Sequence, residues 1–453
     1  MILHIIELAR VTPAPDSPEP ANSLSIPLTF LDLPWLVFDP LKRVTFYQLN
    51  ESTRDHFYSF ILPKLKLSLS LVLRSYLPLT GRIIWNPNEP KPTILVTHND
   101  AVSVTVAESD ADFYFLSGYE QRPVSELHNL TPKLPVSDDS LTAYALQITL
   151  FPNNGFSIGV TANHAVLDGK TLSMFFKAWA HVCKQLHEDN KVVSSLPETL
   201  TPSLDRSLIK DQTGLDQQMI EMVRSMKKDK TNESRSLTPI LSKEPEHDVV
   251  LATLLLSRDD VEKLRERVKS LLHVSTFVIA YAYVWTCLVK ARGGNGERLV
   301  SFLFVGDLRE RLDPPLPATY FGNCLFPVGD YNRKAVEFEG RDGLVTAVEI
   351  MSGLVRGLSS RKVETIAEEF KIGFDSLSVT SQFGSVAGSN RLGVYESDFG
   401  WGRPVKTDVV SIGKEGISMG ERRDESGGVE IGVCLKKTDM DIVFTLFNNG
   451  LKN

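Results

Sequence analysis

The stretch 156-FSIGVTANHAVLDGKT-171 runs apolar and β-branched residues into a single histidine, His164, and reaches Asp168-Gly169 four residues later. The run up to Ala162 has the composition of a strand, and an Asp-Gly pair is turn chemistry. His164 therefore sits at a strand end. Two readings stand at this point. In one, His164 is a base held rigidly beside a cleft. Its unperturbed pKa of ~6.5 suits proton abstraction near neutral pH, and Asp168 orients the ring or braces the turn through an arginine. In the other, His164 is a structural histidine ahead of an ordinary turn. HxxxD is short, so its spacing alone favours the second.

The flanks of this stretch fix the local architecture. Upstream, 143-AYALQITLF-151, then PNNG, then 156-FSIGVTA-162 reads as a β-hairpin, with Asn154-Gly155 supplying the positive φ of the turn. Downstream, a helix is predicted over 171–186. Its apolar face carries Leu172, Phe175, Phe176, Trp179 and Val182 and reads as core packing. Within 55–76, Leu62, Leu65, Leu69, Val72 and Leu73 recur at helical spacing, and Pro63 suits the first turn of that helix. The N-terminal MILHIIELARVTPAP reads as a strand followed by a Pro-rich turn.

Residues 187–247 change character, being rich in Lys, Asp, Glu, Ser and Thr with several prolines. They read as a long crossover with one short helix near 215–227. A strand over 248–256 follows, then a helix with Ser257 as N-cap and Asp260 at N3, ending near Val268. An apolar helix spans 275–291, and strands fit 299–307, 408–412 and 429–435. Strands and helices alternate irregularly, which predicts an α/β protein with two lobes, each a mixed sheet flanked by helices. The expected division is an N-terminal lobe over 1–190, a crossover over 191–247 and a C-terminal lobe over 248–453.

Composition agrees with that plan and excludes others. The chain has 453 residues, too many for one ordinary core. Hydrophobic residues make up 42% and charged residues 23%, near globular averages, which excludes fibres and disorder. A net charge of -7 argues against a general nucleic-acid or anionic-membrane binder while leaving room for a local basic pocket. The longest apolar stretch, 277-FVIAYAYVWTCLV-289, is shorter than the ~20 residues a bilayer requires. The N-terminus has neither a basic n-region nor a small-residue cleavage site. Cys183, Cys287, Cys324 and Cys434 are scattered without a CxxC, so neither a disulfide framework nor a zinc site is implied. The expectation is a soluble cytoplasmic protein, in which the sequons at Asn50, Asn129 and Asn232 are chance matches.

Competing motifs fail. The GKT at 169–171 lacks the earlier glycine of a phosphate loop, because His164 stands there. No GxGxxG follows a strand, and neither HExxH nor GxSxG occurs. Cys287 and Cys434 lie inside apolar segments and read as inert core residues. Two further stretches stand out. In 396-ESDFGWGRP-404, two glycines alternate with aromatics beside Asp398 and Arg403. In 305-VGDLRERLDPPLPATYFGNC-324, Asp307 and Arg309 follow a strand and a Pro-rich loop leads to Tyr320-Phe-Gly-Asn-Cys324. Read singly, each is a structural loop.

Together the three stretches resemble the BAHD family of plant acyl-CoA-dependent acyltransferases. His164-Ala-Val-Leu-Asp168-Gly169 is similar to its HxxxDG motif and Asp398-Phe-Gly-Trp-Gly402 to its DFGWG motif, in the expected order and separation. The resemblance runs from IELARVTPAP and SIPLTFLDLPW to VEIGVCLKKTDMD. Tyr320-Phe-Gly-Asn-Cys324 narrows it towards the phenolic glucoside malonyltransferases. The resemblance implies a chloramphenicol-acetyltransferase-like fold with the site on a channel between the lobes. It implies transfer of malonyl from malonyl-CoA to a sugar hydroxyl of a flavonoid, naphthol or anthocyanin glucoside. His164 would act as general base. Malonyl-CoA would be a co-substrate, with no permanently bound cofactor, no metal, no nucleic acid, no membrane and a monomeric chain.

The resemblance also distributes the other residues. Asp168 points away from the channel and pairs with an arginine, for which Arg292 and Arg309 are both candidates. Asp398, Gly169, Trp401 and Asn323 are structural. Arg206 stands where malonyl-using members carry an arginine for the malonyl carboxylate; the other reading is a solvated crossover charge. Ser275 and Thr276 would present a helix N-terminus to the CoA or acyl end, or serve as a plain N-cap. A hydroxyl or amide from the second lobe would serve the oxyanion, with a serine of 385-SVAGS-389 as one candidate. Two alternatives remain: the same fold with an aromatic donor such as coumaroyl- or caffeoyl-CoA, and a non-catalytic binding relative.

Overall fold

Tyr144–Phe151 and Gly155–Ala162 are adjacent antiparallel strands, and every residue of both is buried. The computed structural model describes residues 1–15, 23–86, 88–135, 139–188, 195–228, 237, 248–271, 273–413, 415–424 and 426–452. In it the two strands form the centre of a six-stranded sheet. Its order is Leu3–Val11, Val102–Ser109, Tyr144–Phe151, Gly155–Ala162, Leu41–Gln48, Lys406–Val409. Cover on both faces explains why neither strand carries a charged residue. Helices Leu62–Leu73 and Gly169–Glu188 pack on one face, and Phe113–Leu116 with Val124–Asn129 on the other. The helix face predicted from periodicity is the buried one: Leu172, Phe175, Phe176, Trp179 and Val182 are all buried.

Two local expectations are corrected. The hairpin turn puts its positive φ on Asn153 (63°) rather than on Asn154-Gly155. Gly155 is already in the strand, paired with Phe151 and Gln48. Glycine is needed there for close approach, because a Cβ would lie 2.1 Å from the Tyr47 carbonyl oxygen. The helix predicted within 55–76 also starts earlier. Thr53 caps Arg54–His56 by accepting the His56 N–H, a wide turn spans Phe57–Ile61, and Leu62–Leu73 follows. Pro63 therefore lies inside a longer helix, and the wide turn accommodates its missing N–H.

The second lobe is built on a seven-stranded mixed sheet. Its order is Leu325–Lys334, Leu299–Asp307, Gln382–Gly388, Gly416–Glu421, Val429–Lys436, Val249–Leu256, Arg122–Pro123. Helix Arg258–Arg267 carries the expected capping box from Ser257 and Asp260. Helix Thr276–Arg292 is almost wholly buried, as its apolar composition requires. A small sheet of Leu24–Pro27, Thr93–Val96, Arg82–Ile84 and Ser140–Thr142 flanks the first lobe. The crossover contains the helix Leu215–Lys228, near its expected span. Crossover residues 191–194, 229–236 and 238–247, with Asn232, lie outside the described residues.

Each large sheet ends on a strand from the other half of the chain. Arg122–Pro123 pairs with Val249–Leu256 in the second sheet, and Lys406–Val409 pairs with Leu41–Gln48 in the first. The strand expected over 408–412 is thus shifted towards the N-terminus, since Val410 makes one last bond to the Lys42 carbonyl before the chain leaves the sheet. The two exchanged strands are themselves joined. Arg122 and Asp408, both buried, form a two-point ion pair at 2.5 and 3.1 Å. Lys406 links Asp408 to Glu430.

Candidate active site

His164 follows the strand Gly155–Ala162 by two residues and opens the turn that leads into helix Gly169–Glu188. Its imidazole lies flat against the indole of Trp35, with ring centroids 4.2 Å apart and planes 10° from parallel. Nδ1 is buried and has no hydrogen-bond partner among the described residues. Burial pushes the ring's pKa below the usual histidine value, against the opposing charge of Asp168. The ring is therefore neutral at pH 7, the state in which it can accept a proton.

Asp168 is fully buried and turned to other partners. Its Oδ1 accepts the Thr171 N–H at 2.8 Å, and its Oδ2 accepts Arg309 Nη2 at 2.7 Å and the Cys324 N–H at 3.3 Å. Burial alone would raise this carboxyl. The Arg309 charge and the two N–H donors overrule it and hold the pKa below the usual aspartate value. Arg309, from the segment after strand Leu299–Asp307, also reaches Asp307 at 3.2 Å. Of the two candidate arginines, Arg292 is not the partner. It sits at the far end of helix Thr276–Arg292, where it pairs with Glu415.

A second join lies beside the first. Asn323 Nδ2 donates to the His164 carbonyl at 2.8 Å and to Asp32 Oδ1 at 3.1 Å; the Asn323 N–H donates to the same oxygen at 3.0 Å. Asp32 Oδ2 accepts the N–H and hydroxyl of Thr29. The crossover enters here too. Ser203 bridges Tyr320, and the Phe321 N–H donates to the Ser203 carbonyl. This lays the Arg206 guanidinium over the Tyr320 ring, 4.9 Å from its centroid, and 4.0 Å from Asp32. Arg206 is 10% exposed, yet none of its three guanidinium nitrogens has a hydrogen-bond partner among the described residues. Gly322 makes the room: at φ +131°, a Cβ there would fall 2.3 Å from Arg206 Nη1.

The comparisons with known proteins decide the family. A family model described as "Transferase family" matches residues 1–447. Phenolic glucoside malonyltransferase 2 of Arabidopsis thaliana is 67% identical over 100% of both chains. Agmatine coumaroyltransferase of the same plant is 45% identical, again over 100% of both. This chain belongs to the BAHD acyltransferases. Among solved structures, that of vinorine synthase superposes with a TM-score of 0.71 at 19% identity, covering 98% of each chain, and so shares the two-lobed mixed α/β fold.

The DFGWG motif of this BAHD chain has a visible mechanical task. Asp398 Oδ1 accepts the N–H groups of Gly400 and Gly402, and Oδ2 accepts Lys184 Nζ at 2.8 Å. Gly400 and Gly402 sit at φ +105° and +103°, which suits glycine. Phe399 is buried edge-on against Trp179 and Tyr47, and Trp401 lies beside His187. The loop thereby grips the helix that begins at Gly169. Asp398→Ala is expected to lower stability by about 1–3 kcal/mol and leave the transfer rate per folded molecule unchanged. Melting curves and initial rates check this, and a rate loss without destabilisation would contradict it.

Other expected residues have local partners of their own. Ser275 Oγ is occupied as the N-cap of helix Thr276–Arg292, accepting the Val278 N–H, while Thr276 Oγ1 meets Arg265. Ser385 lies in strand Gln382–Gly388; no hydrogen bond among the described residues ties Ser385 or Ser389 to the His164 turn. The four cysteines are unpaired and buried, and burial pushes the thiols of Cys183, Cys287 and Cys434 up to about 12. Sequence reading missed Trp35 and Asp32 as parts of this site. The available signal was 32-DLPW-35, where a proline opens a helical turn directly before an indole.

Proposed function

We propose that this BAHD enzyme transfers malonyl from malonyl-CoA to a sugar hydroxyl of a phenolic glucoside. The observation that carries the reading is the Arg206 guanidinium. It is buried, stacked on Tyr320, 4.0 Å from Asp32 and without a hydrogen-bond partner among the described residues, close to the Asn323 join to the His164 carbonyl. A buried guanidinium with open donors is a fitting receptor for a carboxylate. The 67%-identical relative carries the name of a phenolic glucoside malonyltransferase, which supports the same substrate pair. Unpaired cysteines suit a reducing compartment, and we place the enzyme in the cytoplasm on that ground.

In this reading His164 takes the proton of the sugar hydroxyl on Nε2 as the oxygen attacks the thioester carbonyl. The C–S bond then breaks, and the imidazolium returns the proton to the leaving CoA thiolate. Asp168 and Arg309 hold the turn and do not touch substrate. Arg206→Ala is expected to lower kcat/KM for malonyl-CoA by about 10²-fold, the loss of charge-assisted hydrogen bonds, and to change acetyl-CoA use little. A panel of malonyl-, acetyl- and coumaroyl-CoA against several phenolic glucosides, read by mass spectrometry, measures it. Equal losses on malonyl and acetyl donors would remove the carboxylate role. Preference of the unaltered enzyme for coumaroyl-CoA would replace the malonyl reading.

A further inference from the structure

The stack of Trp35 on His164 is built rather than incidental. Trp35 is 7% exposed and lies in the short helical turn Leu33–Val37, where Pro34 fixes the φ of the second residue. Asp32, at the start of that turn, is held on one side by Thr29 and on the other by Asn323. Helix Leu215–Lys228 packs behind the turn. Asn323 also fixes the His164 carbonyl, so one side chain sets both the indole frame and the imidazole frame. The ring spacing of 4.2 Å at 10° leaves the imidazole no freedom to tip on that face.

The face of an indole carries negative electrostatic potential and attracts a cation placed over it. Tryptophan is the strongest of the aromatic residues in this respect. A neutral imidazole gains little from the stack, whereas an imidazolium gains a cation–π interaction. The stack therefore strengthens when the ring accepts a proton, and only interactions stronger in the transition state accelerate a reaction. Burial works against the same cation, so the indole offsets part of what the buried site imposes. Among the described residues, the charged groups nearest the ring are Asp168 on its own turn, with Arg309 behind it, and Asp32 with Arg206 across Asn323. Asp168 and Asp32 are already engaged with N–H donors, while the indole face lies directly against the ring.

The geometry points to Trp35 as a positioning residue. It fixes the plane of the His164 ring and stabilises the imidazolium formed as the acceptor hydroxyl gives up its proton. The inference rests on the reading of His164 as the base. A merely structural tryptophan would tolerate electronic change at constant shape, which separates the two roles.

The test replaces Trp35 site-specifically with tryptophans bearing one to four ring fluorines, which drain the ring face while nearly preserving its shape. The single-turnover rate of malonyl transfer is expected to fall stepwise, by about tenfold at four fluorines. The acid limb of the rate–pH profile is expected to move to lower pH along the series, because a poorer ring face binds the imidazolium less well. KM for both substrates should stay constant. Trp35→Phe should retain more activity than Trp35→Leu, with folding of both checked by circular dichroism. A flat rate and an unmoved limb across the series, with His164→Ala inactive, would overturn this inference alone. An active His164→Ala enzyme would instead overturn the base reading beneath it.

Discussion

The His164→Ala enzyme is expected to fold normally and to lose transfer activity by about 10²–10⁴-fold, the range for removing a general base. The fold should survive because the contact that anchors this turn is to the main chain: Asn323 Nδ2 holds the His164 carbonyl, which alanine keeps. What is lost from packing is one ring-on-ring contact, worth about 1 kcal/mol. Initial rates with malonyl-CoA and a phenolic glucoside, alongside melting curves, measure both quantities. Turnover near the unaltered rate would end the assignment. The pH dependence adds a sign. Burial lowers the His164 pKa, so the ring stays neutral below the ~6.5 at which an ordinary histidine is half-protonated. In the unaltered enzyme kcat/KM should hold down through pH 6.5 and fall only at lower pH. The alanine enzyme should show no such limb.

What could be read from the chain followed the range of the physics. Periodicity is local, so the buried face of Gly169–Glu188 and the capping box at Ser257 were legible from residues a few positions apart. The hairpin was legible too, but not the source of its glycine. Gly155 answers to the Tyr47 carbonyl on a neighbouring strand more than 100 residues away in sequence. The exchanged strands were out of reach for the same reason: nothing within Lys406–Val409 says that its partner is Leu41–Gln48. At the site, His164 stood out as the single histidine at the end of a largely apolar run. Trp35 did not, because an aromatic in an apolar segment is ordinarily core, and only its ring plane against His164 distinguishes it. Arg206 lay in a charged crossover where a solvated role was the other reading. Its burial on Tyr320 depends on the space left by Gly322.

The Arg309→Leu enzyme is expected to lose about 3–5 kcal/mol of stability at pH 7, the range for stripping one partner from a buried ion pair. Arg309 and Asp168 are 1% and 0% exposed, so the carboxylate left behind could not be reached by water. The loss should shrink in acid, and the sign is fixed. In the unaltered protein Asp168 titrates below the usual aspartate range. Its contribution is present above that range and disappears as pH falls through its lowered pKa. Without Arg309, burial would raise the same carboxyl. The variant would then be least unstable where Asp168 is protonated, and lose stability as pH rises through the raised pKa. Urea unfolding at pH 7 and at mildly acidic pH compares the two. Arg292 is the control, since sequence could not separate it from Arg309. Its pair with Glu415 has an arginine that is 42% exposed, so Arg292→Leu should cost no more than about 1 kcal/mol. A deeper loss at Arg292 than at Arg309 would contradict the assignment of the ion pair that braces the His164 turn. Removing Asp168 together with Arg309 should recover part of the loss, because the uncompensated buried charge, rather than the missing attraction, makes up most of it.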